Sequence, residues 1–442
     1  MTLTIEENDC NKLIANRHYD EHGGNLFEEF AQDDCGILDI FNETKKKIDF
    51  SANINPIGLS KNALCILKNT KLLKFLIENY PEVYPERLLN KLSDYHCVQS
   101  ANVFIGAGAT NLIYKILSAF KPENALIAEP SFSEYERACR AFNINTVHQC
   151  TLLEDGFKLI NGSLTAFIDK INNLNESDFI FIASPSNPAG KIMPVNTVIE
   201  ILKICRKKNI YLILDESFMD FKEECSSKHL IEQFNNLIVL RSMTKFFALP
   251  GERLGYIVSS AKNILKMSKN NAPWSISGLA SALAVSSLSD TEYIDTSVKY
   301  INKLKKEMYN DIMKLKIFEI IQGEANFLLI KIKTGYHHNK NNNNNNNNHH
   351  QHHHQHQHQL SSALTIKDYL FNKGILIRYA GNYRCLDGSF FRIAVKTRKD
   401  NKILLSELKK YIGYIEYKEY KELNGRIKMF INYFSEIRIN AF

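Results

Sequence analysis

Ser242, Lys245 and Arg253 lie close together in the stretch IVLRSMTKFFALPGERLGY, Ile238 to Tyr256. A lysine beside an apolar wall and near an arginine has its ammonium form disfavoured by desolvation and like charge, so it is left as a neutral amine able to attack an aldehyde. The serine hydroxyl and the two-pronged arginine suit the oxygens of a phosphate. Taken alone, SxxK is read better as a solvated surface lysine, because short motifs recur by chance. A Schiff-base role for Lys245 therefore depends on what the rest of the chain places around it.

Four further groups fall at the ends of apolar runs. GAGATN, Gly106 to Asn111, joins a strand pattern to a helix pattern. Its glycines let the backbone approach a ligand, and amides at the helix start, with the Thr110 hydroxyl, can hold a phosphate. The motif matches neither Walker A nor GxGxxG. Phe132, after EPS, could stack on a flat ring or simply pack in the core. Asn187 in SPSNPAG could donate to a ring oxygen or only turn the chain before proline. Asp215 closes YLILD, where an aspartate is costly to bury without a cationic partner; a protonated pyridine nitrogen would be one. Acid, asparagine, aromatic, phosphate nest and lysine together are far more specific than any one of them.

The elements that must position these groups show as alternating runs. Strand patterns cover Val103–Gly106, Ala125–Pro130, Thr146–Cys150, Phe179–Pro185, Tyr211–Ser217, Leu237–Ser242 and Gly255–Ser260, with helical patterns between most of them. That alternation predicts an α/β fold with a mostly parallel, doubly wound sheet over 82–290, where ligands sit at the C-terminal strand ends. Helices are expected over Ser60–Glu78, Glu86–Tyr95, Thr110–Phe120 and Thr291–Leu315. A smaller α+β domain is expected from 1–81 together with 291–415, with strands near Phe318–Ile321, Asn326–Ile332, Ile375–Tyr379 and Phe390–Val395. An Asn/His/Gln-rich insert at 337–359 interrupts it and has nothing apolar to bury, so it reads as a surface loop and not a metal site. Residues 416–442 form a C-terminal extension whose role is unreadable.

Composition sets the outer limits. The 442 residues are 44% hydrophobic and 23% charged, enough for a large globular core. Net charge is +7, but lysines alternate with acids and form no stripe for nucleic acid. The start MTLTIEENDCNKL lacks the basic and apolar segments of a leader, and no window is long enough to cross a membrane, so a cytoplasmic location is expected. Nine cysteines, with no CxxC pair, read as reduced thiols and not as a disulfide frame or zinc site.

The order of phosphate nest, aromatic, asparagine before proline, DE aspartate, SxxK lysine and following arginine resembles the fold-type I pyridoxal phosphate (PLP) aminotransferase superfamily, class I/II. The resemblance covers nearly the whole chain apart from the insert and the extension. It implies Lys245 as the Schiff-base lysine, Asp215 as partner of the pyridinium nitrogen, Asn187 on the ring oxygen and Phe132 on the ring face. Ala109, Thr110, Ser242 and Arg253 would hold the cofactor phosphate, and Tyr80 in NYPE would reach the phosphate of a neighbouring subunit, which implies a homodimer. Arg392 in FRIAVK looks like the arginine that binds a substrate α-carboxylate. GAGATN and SPSNPAG depart from the commoner forms of these two motifs.

Within the superfamily the chain looks more like the threonine-phosphate decarboxylases of cobalamin biosynthesis. HGGN at His22, FSANINP at Phe50–Pro56, PWSIS at Pro273–Ser277 and ILIR with the later NY at Arg378 and Asn382 carry that likeness. Phe218 in DESF stands where histidinol-phosphate aminotransferases usually have tyrosine. His22, Asn53 and Arg378 then look like residues that bind the substrate or its phosphate. The resemblance implies decarboxylation of L-threonine O-3-phosphate; the alternatives are an aminotransferase acting on histidinol phosphate or a similar anionic amine, and a PLP-fold protein that binds without catalysis.

Overall fold

The computed structural model describes Gly24, residues 47–333 and 362–415, and positions 417 and 421. His22, the insert at 337–359 and the rest of the extension lie outside the described residues. After a short β1 (Ile48–Asp49) come β2 (Val103–Gly106), β3 (Asn124–Glu129), β4 (Asn145–Cys150), β5 (Phe179–Ala183), β6 (Tyr211–Asp215), β7 (Leu237–Ser242) and β8 (Gly255–Ser259). The last seven form one sheet in the order β2-β8-β7-β6-β5-β3-β4. Pairing is parallel from β4 through β7, and β8 runs antiparallel to both β7 and β2.

The side-chain period of two explains why this sheet is covered on both faces. Ile180, Ile182, Leu212, Leu214 and Val239 enter one apolar cluster, while their neighbours Phe179, Phe181, Ile213, Ile238 and Leu240 enter another. All ten are essentially inaccessible to solvent. The strands are therefore fixed in register, and their C-terminal ends are held level where Ala183, Asp215 and Leu240 pair across β5, β6 and β7.

A second sheet, of four antiparallel strands, follows the long helix Thr291–Met313. It uses β9 (Phe318–Ile321), β10 (Phe327–Ile332), β12 (Arg378–Tyr379) and β13 (Phe390–Ala394), in the order β12-β13-β10-β9. Between them, β11 (Ile375–Leu376) pairs parallel with β1. The single strand expected over Ile375–Tyr379 is thus two, because its first half pairs with β1 and its second half with β13.

Two other expectations are corrected. The helix expected over Ser60–Glu78 is broken into Lys61–Lys68 and Thr70–Glu78 at Asn69, which closes the first and caps the second through a bond from the Leu72 amide to its side-chain oxygen. The cysteines are not all thiols: Cys150 at the end of β4 is disulfide-bonded to Cys385, with Cα atoms 6.1 Å apart, inside the range a disulfide spans. Spacing gave no hint of it, since 235 residues separate the two and only the fold brings them together. Cys65, Cys97, Cys139, Cys205 and Cys225 are free, and burial raises the thiols of Cys139 and Cys205 to about 12. Cys10 and Cys35 lie outside the described residues. Among the described residues, no helix is long and apolar enough to cross a membrane.

Candidate active site

A cavity of about 460 Å³ opens where the ends of β5, β6 and β7 meet the four-stranded sheet. It lies in the size range of small-molecule sites. Lining it are Asn53, Ala109, Thr110, Phe132, Asn187, Asp215, Ser242, Lys245, Arg253, Arg378 and Arg392. Tyr80 does not line it; its side chain is 87% exposed and lies elsewhere on this chain. His22 lies outside the described residues.

One end of the cavity is built for an anion. Gly108 has φ +89°, which strains any residue with a side chain, and the Arg253 guanidinium lies against it, 2.9 Å from where a Cβ would sit. Gly255 lets β8 approach equally closely: a Cβ at that position would be 2.9 Å from the Ala109 amide nitrogen. The twelve-residue helix Ala109–Phe120 starts here with no side-chain cap, which leaves its first amides free to meet an anion along the helix dipole. Ser242, Thr110 and Arg253 add hydroxyl and guanidinium donors at the same end.

Lys245 follows β7 in a loop pinned from behind. Its carbonyl accepts a bond from the Asn55 amide at 3.0 Å, and the Asn55 side chain donates to the Phe246 carbonyl at 2.9 Å. Burial, followed by Arg392 and Arg253, lowers the Lys245 ammonium to about 8. A usable fraction is therefore uncharged near neutral pH.

Asp215 is buried at the end of β6, accepting from the Tyr135 hydroxyl at 2.5 Å and the Ser217 amide at 2.9 Å. Burial raises its pKa, only partly opposed by those bonds. Among the described residues no cationic side chain forms an ion pair with it, so a cationic ring nitrogen would complete its environment. On Asn187, Oδ1 accepts from Arg392 Nη1 and from the Tyr383 hydroxyl, the latter at 3.2 Å. Its amide nitrogen is thereby left to donate into the cavity.

The opposite wall carries the substrate candidates. Arg392 Nη2 donates to the Ser51 carbonyl at 2.8 Å, and its Nε is buried without a partner. Arg378 is its cross-strand neighbour, and Asn53 also has a buried oxygen without a partner. Phe218 brings no hydroxyl and packs edge-on against Phe327, with ring centres 5.2 Å apart.

Sequence reading missed the supports. Tyr135, which holds Asp215, was signalled only by its place three residues after Phe132. Asp49 shapes the turn beneath Arg392 by accepting from the Ser51 and Ala52 amides, an Asx turn readable in DFSA. Arg241, fully buried, pairs with Glu216 at 3.0 Å, Asp220 at 2.9 Å and Glu223, and so braces the segments that carry Asp215 and Ser242.

A buried amine, a buried aspartate with no cationic partner among the described residues and a glycine-lined anion cradle at the ends of parallel strands define a fold-type I PLP enzyme. The chain belongs to the aminotransferase class I and II family, whose model matches residues 45–408. A threonine-phosphate decarboxylase of Salmonella typhimurium is 29% identical over 396 residues, 88% of this chain and 96% of that protein. Among solved structures, the histidinol-phosphate aminotransferase from Clostridium acetobutylicum is 28% identical with a TM-score of 0.70, covering 84% of this chain and 99% of the other. The histidinol-phosphate aminotransferase from Sinorhizobium meliloti, solved in complex with pyridoxal-5'-phosphate, shares the fold with a TM-score of 0.67 at 17% identity, over 82% of this chain and 90% of that one.

Proposed function

We propose that the chain decarboxylates L-threonine O-3-phosphate in a PLP-dependent reaction, giving (R)-1-amino-2-propanol O-2-phosphate and CO2 for cobalamin biosynthesis in the cytoplasm. The observation that carries this reading is the pair of buried arginines, Arg378 and Arg392, set with Asn53 on one wall of the cavity. A substrate bearing both a carboxylate and a phosphate answers that donor set. The likeness to the Salmonella protein supports the same choice.

The cofactor phosphate would be held by Ala109, Thr110, Ser242 and Arg253, the ring nitrogen by Asp215, the ring oxygen by Asn187 and the ring face by Phe132. Bound PLP supplies an electron sink for the bond broken at the substrate's α-carbon. Arg392 binds the substrate carboxylate, and Arg378 and Asn53 bind its phosphate, with His22 a further candidate for that end. By fixing both charged ends, these residues decide which α-bond is oriented to break. Lys245, partly uncharged near neutral pH, can deliver or remove a proton at the α-carbon.

A homodimer goes with this reading. Phe75, Ile77, Tyr80, Tyr84 and Trp274 are each about half exposed or more, an apolar stretch that a second copy would cover while bringing Tyr80 to the neighbouring cofactor phosphate.

The second reading, transamination of histidinol phosphate or a similar anionic amine, is supported by the likeness to the Clostridium acetobutylicum structure. Purified protein with PLP and O-phospho-L-threonine separates the two. CO2 release without a keto-acid acceptor is expected; glutamate-dependent turnover with no CO2 would overturn the decarboxylase reading.

A further inference from the structure

The loop between β12 and β13 is tied to the seven-stranded body by three consecutive side chains. The Tyr383 hydroxyl donates to Asn187 Oδ1 at 3.2 Å, and the Arg378 guanidinium carbon lies 5.0 Å from the Tyr383 ring centre. Arg384 Nη2 bonds both carboxylate oxygens of Glu136 at 3.1 Å. Cys385 is joined to Cys150 at the end of β4.

The middle of these ties decides little by itself, since Arg384 is about half exposed and ion pairs there are screened. The covalent tie is different. Cys385 has φ +70°, a conformation that a side-chain-bearing residue adopts at a cost. Cys385 is exposed, so a reductant can reach it. In a cytoplasm kept reducing, a disulfide is ordinarily transient or redox-sensing, not a permanent staple.

We propose that Tyr383 is a positioning residue, holding Arg378 for the substrate phosphate and Asn187 for the cofactor, and that the Cys150–Cys385 bond clamps it there so that substrate grip depends on thiol state. The proposal rests on the reading above in taking Arg378 as the phosphate ligand, Asn187 as a cofactor contact and the cytoplasm as the location. Opening the clasp takes a dithiol reductant. One thiolate of the reductant attacks a cystine sulfur, breaking the S–S bond and releasing the other cysteine as a thiolate. The second thiol then resolves the mixed disulfide, so the reductant becomes a cyclic disulfide, the cystine takes two electrons, and two protons end on Cys150 and Cys385. Cys385 is then free to leave its positive φ, and Tyr383, two residues away, moves off Arg378 and Asn187.

The test uses the full chain loaded with PLP, oxidised with glutathione disulfide or reduced with dithiothreitol. Alkylation and mass spectrometry report the state of Cys150 and Cys385, and calorimetry reports binding of O-phospho-L-threonine, histidinol phosphate and L-threonine. Reduction is expected to weaken the phosphorylated ligand about tenfold, the order of a lost cation–π and positioning contact, to leave L-threonine unchanged, and to shift the cofactor's visible absorbance without abolishing it, since Asn187 loses its Tyr383 donor and keeps Arg392. Cys385→Ser and Cys150→Ser should each bind weakly and ignore the reductant; Tyr383→Ala should do the same with its disulfide intact, and Tyr383→Phe should recover part of the loss. If histidinol phosphate binds and O-phospho-L-threonine does not, the decarboxylase reading fails and the thiol dependence is read on histidinol phosphate. Equal affinity in both thiol states, an equal loss for L-threonine, no bond between Cys150 and Cys385 after oxidation, or no binding of either phosphorylated amine would each overturn the proposal.

Discussion

Arg378 and Arg392 stand directly opposite each other on the antiparallel strands β12 and β13, and both are buried. Like charges so placed repel, and burial, with Arg378 adding to it, lowers the Arg392 pKa. An anion bound between them relieves that repulsion. Arg378→Met removes that repulsion together with the bond to the Tyr379 carbonyl and the contact with the Tyr383 ring, so the melting temperature of the ligand-free protein at low salt should stay within about 2 °C of the wild type, on the order of 1 kcal/mol. It should also reduce the stabilisation that added phosphate gives the wild type to the part that the cradle at Ala109, Thr110, Ser242 and Arg253 supplies, and lower kcat/KM for the phosphorylated substrate about a hundredfold. Scanning calorimetry with and without phosphate, and steady-state kinetics, check both.

The Lys245 amine should set the pH dependence of cofactor capture. Only the uncharged amine attacks an aldehyde, so the rate at which ligand-free protein takes up PLP should rise with pH, with a midpoint near 8, and level off above it. Arg392→Met removes a positive charge that lowers this pKa and should move the midpoint upward. Lys245→Ala should remove the lysine-dependent visible absorbance of the PLP-loaded protein and reduce turnover by on the order of a thousandfold or more. Stopped-flow absorbance across pH 6 to 10, chosen to bracket that midpoint, reads these effects.

Arg241→Met should destabilise the fold by about 3–5 kcal/mol, because it leaves Glu216 and Asp220 buried without their cation. The loss should be greater at high pH. Burial already raises both carboxyls above their ordinary values, and without Arg241 they rise further. A carboxyl whose folded pKa is raised stabilises the fold while protonated and loses that contribution as pH climbs through the ordinary range towards the folded value. Urea unfolding of the variant should thus show its midpoint falling from mildly acidic to alkaline pH, more steeply than in the wild type.

Tyr80→Ala and Lys245→Ala should complement each other if Tyr80 serves the neighbouring subunit. Random exchange between two impaired dimers makes half the dimers mixed, each with one intact site, so activity should recover to about a quarter of wild type. Recovery no greater than the sum of the separate variants would show that Tyr80 serves no partner site.

The residues that sit at the end of their own buried run were the legible ones. Asp215 after YLIL, Asn187 after FIFIASPS and Lys245 after LIVLRSMT could be placed at strand ends because apolar runs of four or five residues mark a sheet covered on both faces. What could not be read depends on contacts between distant segments. Arg241 sits within an apolar run that says nothing of Glu216, Asp220 or Glu223, and Cys385 has no local pattern that points to Cys150. The break at Asn69 was invisible for a different reason: helical periodicity continues across it, and only the cap bond to Leu72 shows that one helix ends and another begins.

The pairing of β1 with β11 has a consequence for how the protein comes into being. Asp49 meets Leu376 in that register, so the earliest described strand waits for one made more than three hundred residues later. The seven strands of the large sheet are complete at Ser259 and most of the apolar residues that cover them by Ile301, and domains generally fold as units as the chain emerges. Lys245, Asp215 and the glycine cradle can thus be in place on the ribosome before Arg378 and Arg392 exist. The half of the site that handles the ring can be inherited from a nascent intermediate, and the half that selects the substrate is translated more than a hundred residues later.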